Sequence, residues 1–194
     1  MPELERRPIL RDRRTFLRPA ERDDIPTFLA WLADADVGEG LGSRAPWSRV
    51  AEEGWFDELH QTQGKTTWHF VICLREDERP IGFCALHSID HDNGSTDLGI
   101  GIGEPLEWDK GYGTEAMRVL VDFAFGQLRL HRVFLHVFDF NARAIHVYER
   151  LGFRHEGTAR GAFYRHGRHH DVHLMGILRS EWETQDRPRT GQID

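Results

Sequence analysis

Residues 108 to 125, WDKGYGTEAMRVLVDFAF, set two glycines two positions apart directly ahead of a helix-period apolar pattern. A helix starting there presents unpaired N–H groups and the positive end of its dipole to whatever fills the turn. Gly111 and Gly113 remove the Cβ atoms that would hold a phosphate away from the backbone, and they allow positive φ. This is an anion site, and the ligand it predicts is a phosphorylated cofactor. Along the helix, Ala116, Met117, Leu120, Val121 and Ala124 fall on one side and Glu115, Arg118 and Asp122 on another, so the apolar side is expected to pack on a sheet.

The flanking sequence supplies that sheet. Residues 66–74 (TTWHFVICL) and 81–89 (IGFCALHSI) are rich in β-branched and aromatic residues around the turn EDERP, which reads as a hairpin. Both faces of these strands are apolar, Phe70 and Ile72 against Val71 and Cys73, as in central strands covered on two sides. The turn HDNG leads to a further strand at 95–102, so an antiparallel meander feeds the glycine turn. Residues 132–138 (RVFLHVF) form a buried strand reached through the helix, which favours a parallel crossover. Asn141 caps a short helix carrying Ile145, Tyr148 and Leu151, ended by Gly152, and two strands follow near 154–163 and 169–178. Upstream lie a strand at 14–18 stopped by Pro19 and a helix at 22–33 with Asp23 or Asp24 as candidate cap. A flexible link through Gly38, Gly40 and Gly42 comes next, then a second helix capped by Ser48.

With 194 residues and 39% hydrophobic content, one mixed α/β domain is expected, spanning 14–182 between a charged arm (1–13) and a polar tail (183–194). No apolar run is long enough to span a bilayer and MPELERRPIL lacks a secretory core, so a cytoplasmic location without membrane association is expected. Cys73 and Cys84 read as reduced core residues, although they fall on successive strands. Residues 21–58 hold ten acidic and three basic side chains, a balance of −7 that equals that of the whole chain. There is no basic nucleic-acid footprint. The acids read either as solvated helix faces or as a surface that concentrates a cation.

Of two rivals for the glycine turn, one fails and the other is opposed by its context. A P-loop needs Lys-Ser/Thr after the second glycine, whereas Lys110 precedes both. Gly111, Gly113 and Ala116 satisfy a Rossmann GxGxxA with Asp139 near the ribose-binding position, but eight residues (GEPLEWDK) separate Ile102 from Gly111. The turn with its surroundings resembles the GNAT superfamily of acyl-CoA-dependent N-acyltransferases over residues 14–182. That family's signature is Arg/Gln-x-x-Gly-x-Gly/Ala, met here as Trp108-Asp109-Lys110-Gly111-Tyr112-Gly113 with a departure at Trp108. Residues 141–153, NARAIHVYERLGF, resemble its Asn-x-x-Ala-x-x-x-Tyr-x-x-x-Gly-Phe motif. Within the superfamily the second half of the chain is most similar to the ribosomal-protein and spermidine acetyltransferases.

The resemblance implies a mainly antiparallel sheet with a splayed parallel pair, acetyl-CoA as cofactor, and direct transfer of the acetyl group to a primary amine. It implies that Lys110, Gly111, Tyr112, Gly113 and Thr114 cradle the pyrophosphate, that backbone groups of Ile100, Gly101 and Ile102 meet the pantetheine arm, and that Asn141 contacts cofactor or substrate. Tyr148 would protonate the departing sulfur. An amine with a pKa of about 10.4 is almost wholly protonated at neutral pH, so a base is needed. The position eleven residues ahead of the motif, where histone-modifying members carry a Glu, is Asp97, with Glu104 in reserve. The acidic segment would wall the acceptor site, which favours a polyamine, a protein N-terminus or another cationic amine, in a monomer or homodimer. His166, His169, His170, Asp171 and His173 match no compact zinc pattern, and no metal is expected. A non-catalytic acyl-CoA sensor and a nicotinamide-dependent oxidoreductase are the alternatives.

Overall fold

In the computed structural model, residues 10–185 are described. The strands are β1 (Leu10–Arg11), β2 (Thr15–Pro19), β3 (Trp68–Leu74), β4 (Pro80–Asp90), β5 (Ser95–Ile102), β6 (Arg132–Phe138), β7 (Arg154–Arg165) and β8 (Arg168–Leu178). They form one sheet in the order β1-β2-β3-β4-β5-β6-β8-β7. Every neighbouring pair is antiparallel except β5 with β6. The expected meander and parallel crossover are both present, and among the described residues there is no doubly wound parallel sheet of a dinucleotide-binding fold.

Helix α4 (Tyr112–Asp122) makes the crossover and buries Ala116, Met117, Val119, Leu120 and Val121. These pack with Phe70, Ile72, Leu86, Leu98, Val133 and Leu135 in the main core. The opposite sheet face carries Val71 and Cys73, covered by Phe28 and Trp31 of α1 (Ile25–Ala33). Cys73 and Cys84 are both free and buried, and they belong to cores on opposite faces, so pleat alternation keeps the thiols apart.

The stretch expected to be a flexible link is a helix, α2 (Ala35–Leu41). The Asp34 carboxylate accepts hydrogen bonds from the N–H groups of Asp36 and Val37 at 3.0 Å, and Gly42 closes the helix at φ +73°. Each glycine inside a helix costs about 1 kcal/mol relative to alanine. The cap and the burial of Val37 offset that here, which is why a glycine-rich stretch is helical. Ser48 does cap α3 (Arg49–Thr62), accepting from the Ala51 N–H at 3.2 Å. Asp24 does not cap α1 through its side chain; its carboxylate accepts from the Glu21 N–H at 2.9 Å and pairs with both terminal nitrogens of Arg18 at 2.6 and 2.7 Å.

Helix α5 (Ala142–Arg150) begins at Asn141, whose Oδ1 accepts from the Ala144 N–H at 3.1 Å. The last helix, α6 (Arg179–Glu183), docks Trp182 on α4, where its indole donates to Asp122 at 2.7 Å. Both expected domain edges carry structure beyond them: β1 pairs with β2, and Gln185 donates to the Leu151 carbonyl at 3.0 Å. The remainder of the expected arm and tail, 1–9 and 186–194, lies outside the described residues. Among the described residues no helix is long and apolar enough to cross a membrane.

Candidate active site

The parallel pair opens where the glycine turn faces it. β5 meets β6 only at Ser95, Thr96 and Asp97, opposite Arg132, Val133 and Phe134. Beyond that point Ile100, Gly101 and Ile102 stay paired to β4, while β6 keeps its other partner β8, so one edge of each strand faces a gap. The gap continues into a cleft of about 1330 Å³. Ile100, Gly101, Ile102, Gly111, Tyr112, Gly113, Thr114, Asn141 and Tyr148 all line it. A Cβ on Gly101 would come within 2.8 Å of the Leu41 side chain, so glycine is what lets α2 close over this strand.

Gly111 is the N-cap of α4 at φ +86°, a conformation that favours glycine, and the helix N-terminus points into the cleft from there. Arg14, 96 residues away in sequence, braces the turn by donating to the Lys110 carbonyl at 2.9 Å. It also binds Glu115 at 2.7 Å and lies 4.6 Å from the centre of the Tyr112 ring. Lys110 itself does not line the cleft; its ammonium lies 2.9 Å from the carboxylate of Glu107, which does.

The structure accounts for Trp108. Its indole donates to the Ile102 carbonyl at 2.8 Å, tying the turn to the end of β5, and Arg143 of α5 sits 4.3 Å over its ring. Arg143 also lies 3.2 Å from Asp109, so a guanidinium reaches the position where the signature usually carries its own polar side chain. The Arg14 brace and this stack were invisible in the sequence, since only folding brings their partners together.

Tyr148 is 6% exposed. Burial, with the negative charge of Asp97 added, pushes its pKa up to about 12, so the phenol is a proton donor at neutral pH. Asp97 lies close enough to act on Tyr148 but does not line the cleft, and its carboxylate stands 3.5 Å from Nδ1 of His136. Glu104 is elsewhere: it accepts from the Trp31 indole at 2.8 Å and borders a separate surface hollow behind α1. Asn141 faces the cleft with its oxygen already used as the α5 cap, and its amide nitrogen lies 3.5 Å from the Gly40 carbonyl.

The far wall is made of side chains. Asp36 and Glu39 of α2, Glu52 and Trp55 of α3, and Trp47 between them line it. Glu52 is 4% exposed, and burial raises its pKa. Other acids of this segment serve the fold: Asp34 caps α2, while Asp24, Glu53 and Asp57 pair with Arg18, Arg49 and Arg22 respectively. From the acidic run, Asp36, Glu39 and Glu52 are the carboxylates that face the cleft. Sequence reasoning also missed the cleft histidines His69, His87, His136 and His146, because folding is what gathers them.

Of the histidine-rich segment, His169, His170 and His173 do not line this cleft, whereas His166, in the turn between β7 and β8, stands 3.4 Å from Glu39 of its wall. His169 and His170 point to opposite faces, as strand alternation requires, with His170 buried against Asp139 at 3.0 Å. Among the described residues no group of three or more His, Cys, Asp or Glu side chains is placed to hold a metal ion.

A gap between two parallel strands beside a helix N-terminus fits a long ligand with a phosphorylated end, as CoA is. The comparisons agree. Residues 14–154 match the model of the acetyltransferase (GNAT) domain. The uncharacterized N-acetyltransferase p20 of Bacillus licheniformis is 33% identical over 172 residues, covering 87% of this chain and 95% of that protein. The spermidine N(1)-acetyltransferase of Vibrio cholerae is 34% identical over 134 residues, covering 66% of this chain and 75% of that one. The crystal structure of spermidine N-acetyltransferase from Vibrio cholerae in complex with CoA and spermine superposes with a TM-score of 0.80 at 27% identity, covering 87% of this chain and 98% of that one. This chain therefore belongs to the GNAT acetyltransferase family, and it is an acyltransferase whose cofactor is acetyl-CoA and whose acceptor is an amine.

Proposed function

We propose that the acceptor is a small polycationic amine and that Tyr148 is the proton donor to the departing sulfur. The observation that carries this reading is that one cleft is lined at once by the glycine turn with the open end of β5, by Tyr148, and by Asp36, Glu39 and Glu52 together with Trp47 and Trp55. Carboxylates attract the charged nitrogens, and the indole faces accept both cations and the methylene chain between them. The Vibrio cholerae spermidine acetyltransferases, similar in sequence and in fold, support the same class of acceptor.

Bound acetyl-CoA supplies the acetyl thioester. Gly111 to Thr114 would hold its pyrophosphate through backbone N–H groups, and Ile100 and Gly101 would orient its pantetheine arm from the open edge of β5. Asn141 would position the same arm from the start of α5. Tyr148, protonated at neutral pH, would give its hydroxyl proton to sulfur.

A panel of amines with acetyl-CoA and a free-thiol readout tests the acceptor. Spermidine and spermine should exceed monoamines of equal length in kcat/KM. Replacing Asp36 by Asn together with Glu39 by Gln should raise the KM for the polyamine about tenfold, worth about 1.4 kcal/mol, and leave that for acetyl-CoA unchanged. Equal preference for neutral-tailed monoamines would overturn the polycation assignment.

A further inference from the structure

Four titratable side chains cross the cleft face of the sheet in a row, one from each of four adjacent strands: His69 on β3, His87 on β4, Asp97 on β5 and His136 on β6. Register puts them there. His87 and Asp97 are direct cross-strand partners, His69 opposes Ala85 two residues before His87, and Asp97 opposes Phe134 two residues before His136. Partners and residues two apart share a face. The rings of His69 and His87 meet edge to face at 4.7 Å, and Asp97 stands 3.5 Å from His136. The three histidines line the cleft, whereas Asp97 lies between two of them without lining it.

We propose that His87 takes the proton from the attacking amine and that Asp97 acts through it, with His136 passing the proton to solvent. This rests on the acetyl-transfer reading above and assigns the base that the reading leaves open. The ammonium first gives up one proton to solvent; as the free amine nitrogen then bonds to the acetyl carbon, it loses a second proton to the His87 ring, the bond from that carbon to sulfur breaks, and sulfur leaves with the Tyr148 proton. The proton released through His136 equals the one that Tyr148 recovers, so each turnover restores the starting state. Asp97 is a positioning residue: its charge reaches His87 on one side and Tyr148 on the other.

His87 suits the task because it is neutral before the reaction. Burial lowers its pKa, and Asp97 partly opposes that fall. His69, pushed down to about 3 by burial and by His87, stays neutral behind it. His87 Nε2 lies 3.5 Å from where a Cβ of Gly99 would stand, one residue before the open edge of β5. Besides His69 and His136, with Asp97 between the strands, the titratable and charged groups lining the cleft are Asp36 and Glu39 of α2, Glu52 of α3, Glu107, Asp109 and Tyr112 around the glycine turn, and Arg143, His146, Tyr148 and Arg150 of α5.

The test uses the full chain with spermidine and acetyl-CoA. In the wild type, kcat/KM should fall on the acid side with a midpoint below about 6.5, the ordinary histidine value. His87→Gln should lower kcat/KM by about 10²-fold or more and abolish that acid limb, with the rise in Tm on adding CoA unchanged. Asp97→Asn should keep the limb but shift it to lower pH, because the charge that raises the His87 pKa is gone. NMR titration of the histidine rings in the protein without substrates gives a readout independent of turnover. It should find His87 neutral at pH 7 and titrating lower still in Asp97→Asn. A His87→Gln enzyme within threefold of wild type with its acid limb unmoved, or a His87 ring protonated at pH 7, would overturn the relay. A wild type that binds CoA and acetylates no amine would instead overturn the functional reading on which the relay rests.

Discussion

The two walls of the cleft are built on different principles. The wall proposed to cradle the cofactor, from Ile100 to Ile102 and from Gly111 to Thr114, would act through main-chain groups, with Arg14 and Trp108 holding that main chain in place. The wall proposed for the acceptor carries Asp36, Glu39, Glu52, Trp55 and the cleft histidines on ordinary helix and strand. A site made of backbone tolerates an unusual side chain as long as the shape survives. Trp108 shows this: it departs from the family signature yet braces the turn through the Ile102 carbonyl. A site made of side chains has no such slack, since each substitution removes a functional group.

That contrast predicts a graded set of outcomes. The largest is at Tyr148, where Tyr148→Phe should lower kcat by about 10²-fold while leaving the CoA-induced rise in Tm intact. A normal rate would show that no side-chain donor is needed there. Next is Gly111→Val, which places a β-branched residue at φ +86° with a Cβ 3.3 Å from the Arg14 guanidinium. Strain of about 1–3 kcal/mol should weaken CoA binding by about tenfold or more, measured by calorimetric titration. Undiminished affinity would mean that the backbone of this turn does not form the cradle.

Trp108→Phe keeps an aromatic surface for Arg143 but removes the donor to Ile102. An unsatisfied, partly buried carbonyl costs about 1–3 kcal/mol, so the chemical denaturation midpoint should fall, with CoA affinity reduced less than by Gly111→Val.

The smallest effect is at Glu52. Its pKa is raised in the folded state, so folding favours the protonated form, and the stability it contributes at low pH is lost as pH rises through its ordinary value toward the folded one. Glu52→Gln should therefore raise Tm at pH 7, with the gain shrinking as pH falls toward about 4, near the ordinary glutamate value, while the KM for the polyamine worsens. A variant both less stable and unchanged in KM would remove Glu52 from the acceptor wall.

The cradle wall was legible because glycine spacing reports backbone shape directly, and because Asn141 and Tyr148 sit two helical turns apart on one element. The acceptor wall was legible only as a charge balance. Asp34 illustrates why: it belongs to the same acidic run as Asp36, yet it caps α2, and composition does not separate a cap from a cleft residue. Asp97 was found by its distance from the glycine motif, but its neighbours His87 and His136 were not. The α2 helix was missed because its glycines signal flexibility, while the cap and the buried Val37 that override them depend on packing.

The sequence by itself determined the order of strands β2 to β8 and of the helices α1, α3, α4 and α5, the glycine turn ahead of α4, and the placing of Asn141 and Tyr148 on one element, because each is written in local spacing. Tertiary structure alone decided which acids face the cleft, that Arg14 and Trp108 brace the turn, and that His69, His87, Asp97 and His136 stand in one row. Local periodicity sets the face on which a side chain lies, but the register between strands far apart in the chain decides which side chains meet, and that register is settled only when the whole core packs.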